Sequence, residues 1–166
     1  MLLRQLFTAT ALMGLLMGSL PVGATDADEQ VQSLESLEAD SAIAQEKNIP
    51  ILLVFVAEDC PFCEQVEELF LQPMLRSGDY TERVIIRHVH IDGVEDVIDH
   101  NGKKISQQTL QDRYDVFVTP TLVFVGPTGK EVGERLTGIN SVDYYGAYLD
   151  RSIEEGSEAI KLQAKK

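Results

Sequence analysis

Apolar and polar positions follow three different rhythms along this chain, and each rhythm predicts a different element. From Asp28 to Lys47, Val31, Leu34, Leu37, Ile43 and Ala44 recur at loose helical spacing among acidic residues, which predicts an amphipathic helix ending at "KNIP". The run "ILLVFVA", Ile51 to Ala57, is apolar at every position, so it predicts a strand covered on both faces. Phe62, Val66, Leu69, Phe70 and Pro73 then return to helical spacing, with Glu64, Gln65, Glu67 and Glu68 on the other faces. Pro61 suits the first position of that helix, and Pro73 predicts a kink or an end near Leu71 or Gln72, with "MLRSG" as a short continuation.

Downstream, "RVIIRHVHID" predicts a strand from Arg83 to Ile91, and "QQTLQDRY" a short helix. The segment "TPTLVFV" predicts a strand, "GPTGK" a turn, and "EVGERL" the second strand of a hairpin. A final helix opens at Ser141, with Val142, Tyr145, Leu149 and Ile153 on one face. Helix, strand, helix, strand, helix, strand, strand, helix is an α/β order, and an alternation that closes on a hairpin implies a mixed sheet with helices on both sides. The acidic stretch "DGVEDVIDHNGKKIS", residues 92–106, is longer than a compact connection needs; it reads as a solvated excursion, with a partner-docking insertion as the alternative.

Length changes this picture little: 166 residues with 44% hydrophobic content make one domain with a true core. The first segment changes it more. "MLLRQLFTATALMGLLMGSLPVGA" carries one base, Arg4, an uncharged apolar stretch from Leu6 to Leu20, and small residues up to Ala24 before "TDADE". Residues 1–24 read as a signal peptide cut near Ala24, leaving 25–166 as the domain. A retained anchor is disfavoured, because about fifteen apolar residues fall short of the roughly 20 needed to span a bilayer and Pro21 interrupts them. No cysteine lies near the cut, which argues against a lipid anchor. The chain holds 27 acids against 14 bases, a net charge of −13, and losing Arg4 makes the domain one unit more acidic. Nucleic acid and acidic membrane surfaces are excluded as partners by repulsion. Export predicts a periplasmic, oxidising compartment in which thiols need a reason to stay reduced.

Both cysteines lie in "FVAEDCPFCEQVEELF". Three readings compete: a redox pair, a metal site and a structural cross-link. With Pro61 at the first helical position, Cys60 is the N-cap and Cys63 a first-turn residue. Residues so placed lie roughly 5 to 6 Å apart, inside the range a disulfide tolerates. As a staple the pair would close nearly the shortest possible loop, which stabilises least. At a helix tip the unpaired N–H groups favour thiolate, so the Cys60 thiol is expected to titrate below its ordinary range and to act as the attacking nucleophile, with Cys63 as the resolving thiol. The metal reading draws on His88 and His90, which alternate onto one strand face; with two cysteines they form a plausible zinc or copper set. Against it, histidines on a strand need not approach the helix tip. A cysteine hydrolase would want a histidine base against Cys60 and would leave Cys63 without purpose. "GPTGK" sits between two strands and is a turn, not a phosphate loop.

In its motifs the chain resembles the thioredoxin superfamily, in the exported thioredoxin-like and Dsb-like branch. The resemblance covers nearly all of residues 42–155 and rests on "ILLVFVAEDCPFC", "RYDVFVTPTLVFVGPTGKEV" and "NSVDYYGAYL". It implies a thioredoxin-like fold, a central mixed four-stranded sheet with helices on both faces, here preceded by an extra N-terminal helix. It implies a cis Pro120 lying against the redox pair, and a Thr119 backbone that pairs with an extended substrate segment. The implied activity is thiol:disulfide exchange with protein dithiols and disulfides by a monomer without a bound cofactor, a reductant or maintenance protein rather than an oxidant, served by a membrane thiol electron donor or acceptor. The alternatives are a periplasmic copper or zinc thiol carrier on the same fold, although such carriers have a longer cysteine spacing, and a peptide binder with a vestigial dithiol.

Two positions depart from the family pattern. Val54 stands where thioredoxins carry a buried acid, and Asp59 where they carry an aromatic residue before the first cysteine. Glu58 and His88 are therefore candidates for proton transfer, each with a plainer reading as a solvated loop acid and an ordinary strand residue.

Overall fold

A computed structural model describes residues 30–165; the expected signal peptide, residues 1–24, lies outside the described residues. The first helix, α1 (Leu37–Lys47), begins where Ser36 accepts a hydrogen bond from the Ala39 amide and ends at Asn48, which takes the left-handed conformation. The sequence predicts a helix from Asp28, and this is corrected: residues 31–36 are extended. His88 donates its amide to the Gln32 carbonyl at 2.9 Å, and Leu34 donates to the His88 carbonyl at 2.8 Å. The physical reason is that a sheet edge presents unpaired backbone groups that this segment satisfies. Val31 and Leu34, three apart, fit either a helix or an extended segment; being extended, they enter the two different halves of the core.

The main sheet has the order β2-β1-β5-β6. Strand β1 (Ile51–Val56) pairs in parallel with β2 (Ile85–His90) and antiparallel with β5 (Thr121–Val125), which pairs antiparallel with β6 (Leu136–Thr137). Every residue of β1 and β5 is buried, as their unbroken apolar runs require. Leu52, Val54 and Val56 face one half of the core, where α2 (Pro61–Val66), α3 (Gln72–Ser77) and α5 (Val142–Gln163) contribute Val66, Met74, Tyr145, Leu149 and Ile153. Ile51, Leu53 and Phe55 face the other, against Leu37 and Ala44 of α1 and Leu110 of α4 (Gln107–Arg113). Each fully buried Val, Leu, Ile, Phe or Met among them contributes about 1.5 to 3 kcal/mol by leaving water. This is the mixed four-stranded sheet with helices on both faces and an added first helix that the motif resemblance implies. Among the described residues no helix is long and apolar enough to cross a membrane.

One local expectation is met and three need correction. Pro73 marks an irregularity in its helix with "MLRSG" as the continuation, as expected: a π-helical turn, Glu67–Leu71, joins α2 to α3, and the chain stays helical to Gly78. Proline lacks the amide that would bond four residues back, and the wider turn relieves its ring of the clash there. The 92–106 stretch is largely exposed, as a solvated excursion should be, but it is more than a plain connection and holds a small hairpin, β3 (Asp96–Ile98) with β4 (Lys104–Ser106). Buried Asp99 organises its turn by accepting from the Asn101 and Lys103 amides and from Arg113. The Lys103 amide is the main reason its carboxyl is held down to about 2. In "EVGERL" only a single bridge, Val125 with Glu131, forms before the ladder resumes at Leu136. The chain bends at Gly133, where a Cβ would stand 2.6 Å from the Ser152 carbonyl oxygen. Finally, Val142 is exposed while Tyr145, Leu149 and Ile153 are buried.

Candidate functional site

Strand β1 ends at Val56 and delivers the chain to the helix tip through three residues. The Glu58 amide donates to Asp92 Oδ2 at 2.7 Å, which ties the loop to the end of β2. Asp59 has φ 51°, a left-handed turn that aspartate tolerates better than most side chains, and it swings the chain into Cys60. Cys60 is the N-cap of α2 in extended geometry with Pro61 beside it. The Cys63 amide, in the first turn, donates to the Cys60 carbonyl at 2.9 Å and also points at Cys60 Sγ at 3.2 Å. The two sulfurs are bonded, with Cα atoms 5.2 Å apart. Cys60 is half-buried, and Cys63 is buried in the core cluster that also holds Val54. Cys60 is therefore the more exposed of the pair.

Thr119 and Pro120 come to this tip from 59 residues away in sequence. Thr119 Oγ1 lies 3.5 Å from Cys60 Sγ, and the Thr119–Pro120 peptide is cis. The loop is held on both sides: Thr121 Oγ1 donates to the Val118 carbonyl at 2.8 Å, and the Gly138 amide donates to the Pro120 carbonyl at 2.8 Å. Among the described residues no protein group bonds the Thr119 amide or carbonyl, which leaves both open to an incoming strand. Apolar side chains stand in solvent on both segments that meet here: Phe62, between the cysteines, is 61% exposed, and Phe117 and Val118, just ahead of Thr119, are 85% and 51% exposed. Helical periodicity assigns Phe62 to a buried stripe; its position inside the first turn, ahead of the packed residue Val66, keeps it outside the core.

The candidates for proton transfer separate. Glu58 is exposed, and the contact that fixes it is made by its backbone. His88 stands on β2 beside Val54 and puts Nε2 3.0 Å from Glu67 Oε2, with each side chain only 17% exposed. His90 faces the same side, its ring 5.8 Å from that of His88, and is engaged by Ser33 Oγ at 3.3 Å. Glu67 is the residue that sequence reasoning missed, because helical patterning places it on an outer face. Its spacing, four residues after Cys63, was the available signal that both lie on one side of the helix. Among the described residues no group of three or more His, Cys, Asp or Glu side chains converges to hold a metal. Both sulfurs are committed to each other, and the histidines to Glu67 and Ser33.

Residues 37–153 match the family profile described as a thioredoxin-like domain. The chain belongs to the thioredoxin-like family. Among solved structures, this thioredoxin-like chain is similar to Trxlp from Edwardsiella tarda, at 22% identity and TM-score 0.51, over 72% of this chain and 97% of that one. It is also similar to a protein described as DsbH oxidoreductase, at 20% identity and TM-score 0.51, over 87% of this chain and 95% of that one. These likenesses bear on the fold. No curated protein matches the chain. A thioredoxin-like domain with a CxxC pair at disulfide distance is the framework of a thiol oxidoreductase.

Proposed function

We propose that this thioredoxin-like protein is an exported thiol:disulfide oxidoreductase that exchanges two electrons with protein disulfides through Cys60 and Cys63. The observation that carries the reading is the asymmetry of the pair: Cys60 at the solvent-facing tip of a helix beside Thr119, Cys63 buried one turn deeper. In the reducing direction the Cys60 thiolate attacks a substrate disulfide, forming a mixed disulfide and releasing one substrate thiolate. Cys63 then loses its proton and attacks Cys60 Sγ; the mixed disulfide breaks, the second substrate thiolate leaves, and the protein is left oxidised. The unpaired backbone of Thr119 holds the substrate as an added strand, with Pro120 shaping that loop.

A reductant or maintenance role is favoured by likeness to periplasmic family members, and a membrane thiol donor would then regenerate the dithiol. Export rests on the N-terminal pattern of Arg4, the apolar stretch and Ala24. The test is direct. Cys60 should alkylate at neutral pH well above the rate of a free cysteine, the protein should reduce insulin, and a Cys63→Ser variant should trap partners as mixed disulfides. Alkylation at the free-thiol rate, or insulin reduction that survives removal of Cys60, refutes the proposal. A reduction potential above that of glutathione overturns the reductant direction alone.

A further inference from the structure

The resolving step needs a proton acceptor. Cys63 is only 8% exposed, so its thiol has poor access to bulk water, and only the thiolate attacks. Val54, the strand residue in the same core cluster, is apolar, and Glu58 stands in solvent. Glu67 has the right placement. It follows Cys63 by one turn on the same side of the helix, its amide bonds the Cys63 carbonyl, and its carboxylate lies at His88, the β2 neighbour of Val54 in the core cluster that also holds Cys63.

The carboxylate has a hydrogen bond on one side and an imidazole close by on the other. Oε1 accepts the Val31 amide at 3.4 Å, from the extended segment that covers β2. Oε2 is buried, and its neighbour is His88 Nε2 at 3.0 Å, yet the two form no aligned hydrogen bond. One oxygen of this largely covered carboxylate is thus buried without a hydrogen-bond donor among the described residues. The other groups on this side of the sheet include His90, engaged by Ser33, Tyr145 of α5 with its buried hydroxyl, and the apolar Val54, Val56 and Ile86. Arg87 turns to the opposite face, where it bonds Asp40.

We propose that Glu67, positioned by His88 and the Val31 amide, accepts the proton of Cys63 when the mixed disulfide is resolved. The inference rests on the thiol-exchange reading. The proton passes from Cys63 Sγ to the Glu67 carboxylate; the Cys63 electron pair forms the bond to Cys60 Sγ; the bond from Cys60 to the substrate sulfur breaks, and the leaving thiolate takes up a proton. Two electrons go to the substrate disulfide, and Glu67 returns to carboxylate. His88 is a positioning residue.

The test uses the reduced protein and the chromogenic disulfide dithiobis(nitrobenzoate). Attack by Cys60 releases a first thionitrobenzoate and resolution by Cys63 a second, so the two steps are read separately. In the wild type the second release should change little with pH between about 6 and 8, since the acceptor is internal; a rise of about tenfold per unit, the signature of hydroxide as acceptor, overturns the proposal. Glu67→Gln should slow the second release about tenfold or more near pH 6.5 and leave the first unchanged. The deficit should close by about pH 9.5, above the ordinary thiol range near 8.5, and Glu67→Asp should restore part of the rate. His88→Ala should cost less than about tenfold. A Glu67→Gln variant with an unchanged second release, or one slowed equally at every pH, refutes the assignment. A first release no faster than that of a free thiol refutes the thiol-exchange reading instead.

Discussion

Replacing Phe117 by serine isolates substrate docking from chemistry. The ring is 85% exposed, two residues before Thr119, so its loss removes almost no packing and should leave stability unchanged within about 0.5 kcal/mol. A protein substrate laid along the Thr119 backbone would cover part of it. A phenylalanine side chain buries on the order of 150 to 250 Å² when fully enclosed; covering half of it, about 100 Å² at about 25 cal/mol per Å², is worth up to about 2.5 kcal/mol. Ordering costs on binding reduce this to roughly 1 kcal/mol, about a fivefold loss in kcat/KM. The assay compares insulin with a small disulfide such as dithiobis(nitrobenzoate), which is too short to reach the ring. Insulin reduction should fall about fivefold while the small disulfide reacts as before. Equal rates on insulin for variant and wild type would show that substrates do not cross this surface, and an equal loss on both would place the effect in the chemistry.

Three further outcomes concern stability. Arg87 donates twice to Asp40, which is 5% exposed, so Arg87→Met strands a buried carboxylate and should cost about 3 kcal/mol in urea unfolding, whereas the double variant Asp40→Leu, Arg87→Met should recover most of it. A loss below about 0.5 kcal/mol in the single variant would refute this account. Tyr145 has a buried hydroxyl with no partner among the described residues, and burial pushes its ionisation far up; Tyr145→Phe should stabilise the fold by about 1 kcal/mol, and destabilisation would reveal an unrecognised bond. Asp99 is held at about 2 against an ordinary 3.8, chiefly by the Lys103 amide, so its contribution is complete above about pH 4 and is lost as pH falls through about 2. The Tm difference between wild type and Asp99→Asn should shrink across that window, and a pH-independent difference would contradict it.

The elements that were legible in the sequence are those whose cause is local. The unbroken run from Ile51 to Val56 could only be a strand covered twice, and it is buried throughout. Pro61 marks the helix start and so places Cys60 at its cap. The segment Val31–Ser36 is ambiguous in sequence because a spacing of three suits a helix as well as an extended chain that sends alternate side chains into opposite layers. Only the unpaired edge of β2 decides between them. The Asp96–Ser106 hairpin escaped because its strands are three residues each, too short for a period to show.

The same division runs through the site. From the sequence alone came two sulfurs on one helical turn, an apolar strand feeding them, and a threonine–proline step ahead of another buried strand, since each is set by neighbours within a few positions. Tertiary structure decided which of these meet: Thr119 within 3.5 Å of Cys60 across 59 residues, Cys63 shielded, and Glu67 against His88 across a helix and a strand. Those encounters depend on strand register and on how a helix rolls over its sheet, which the whole core fixes together and no short stretch of chain encodes.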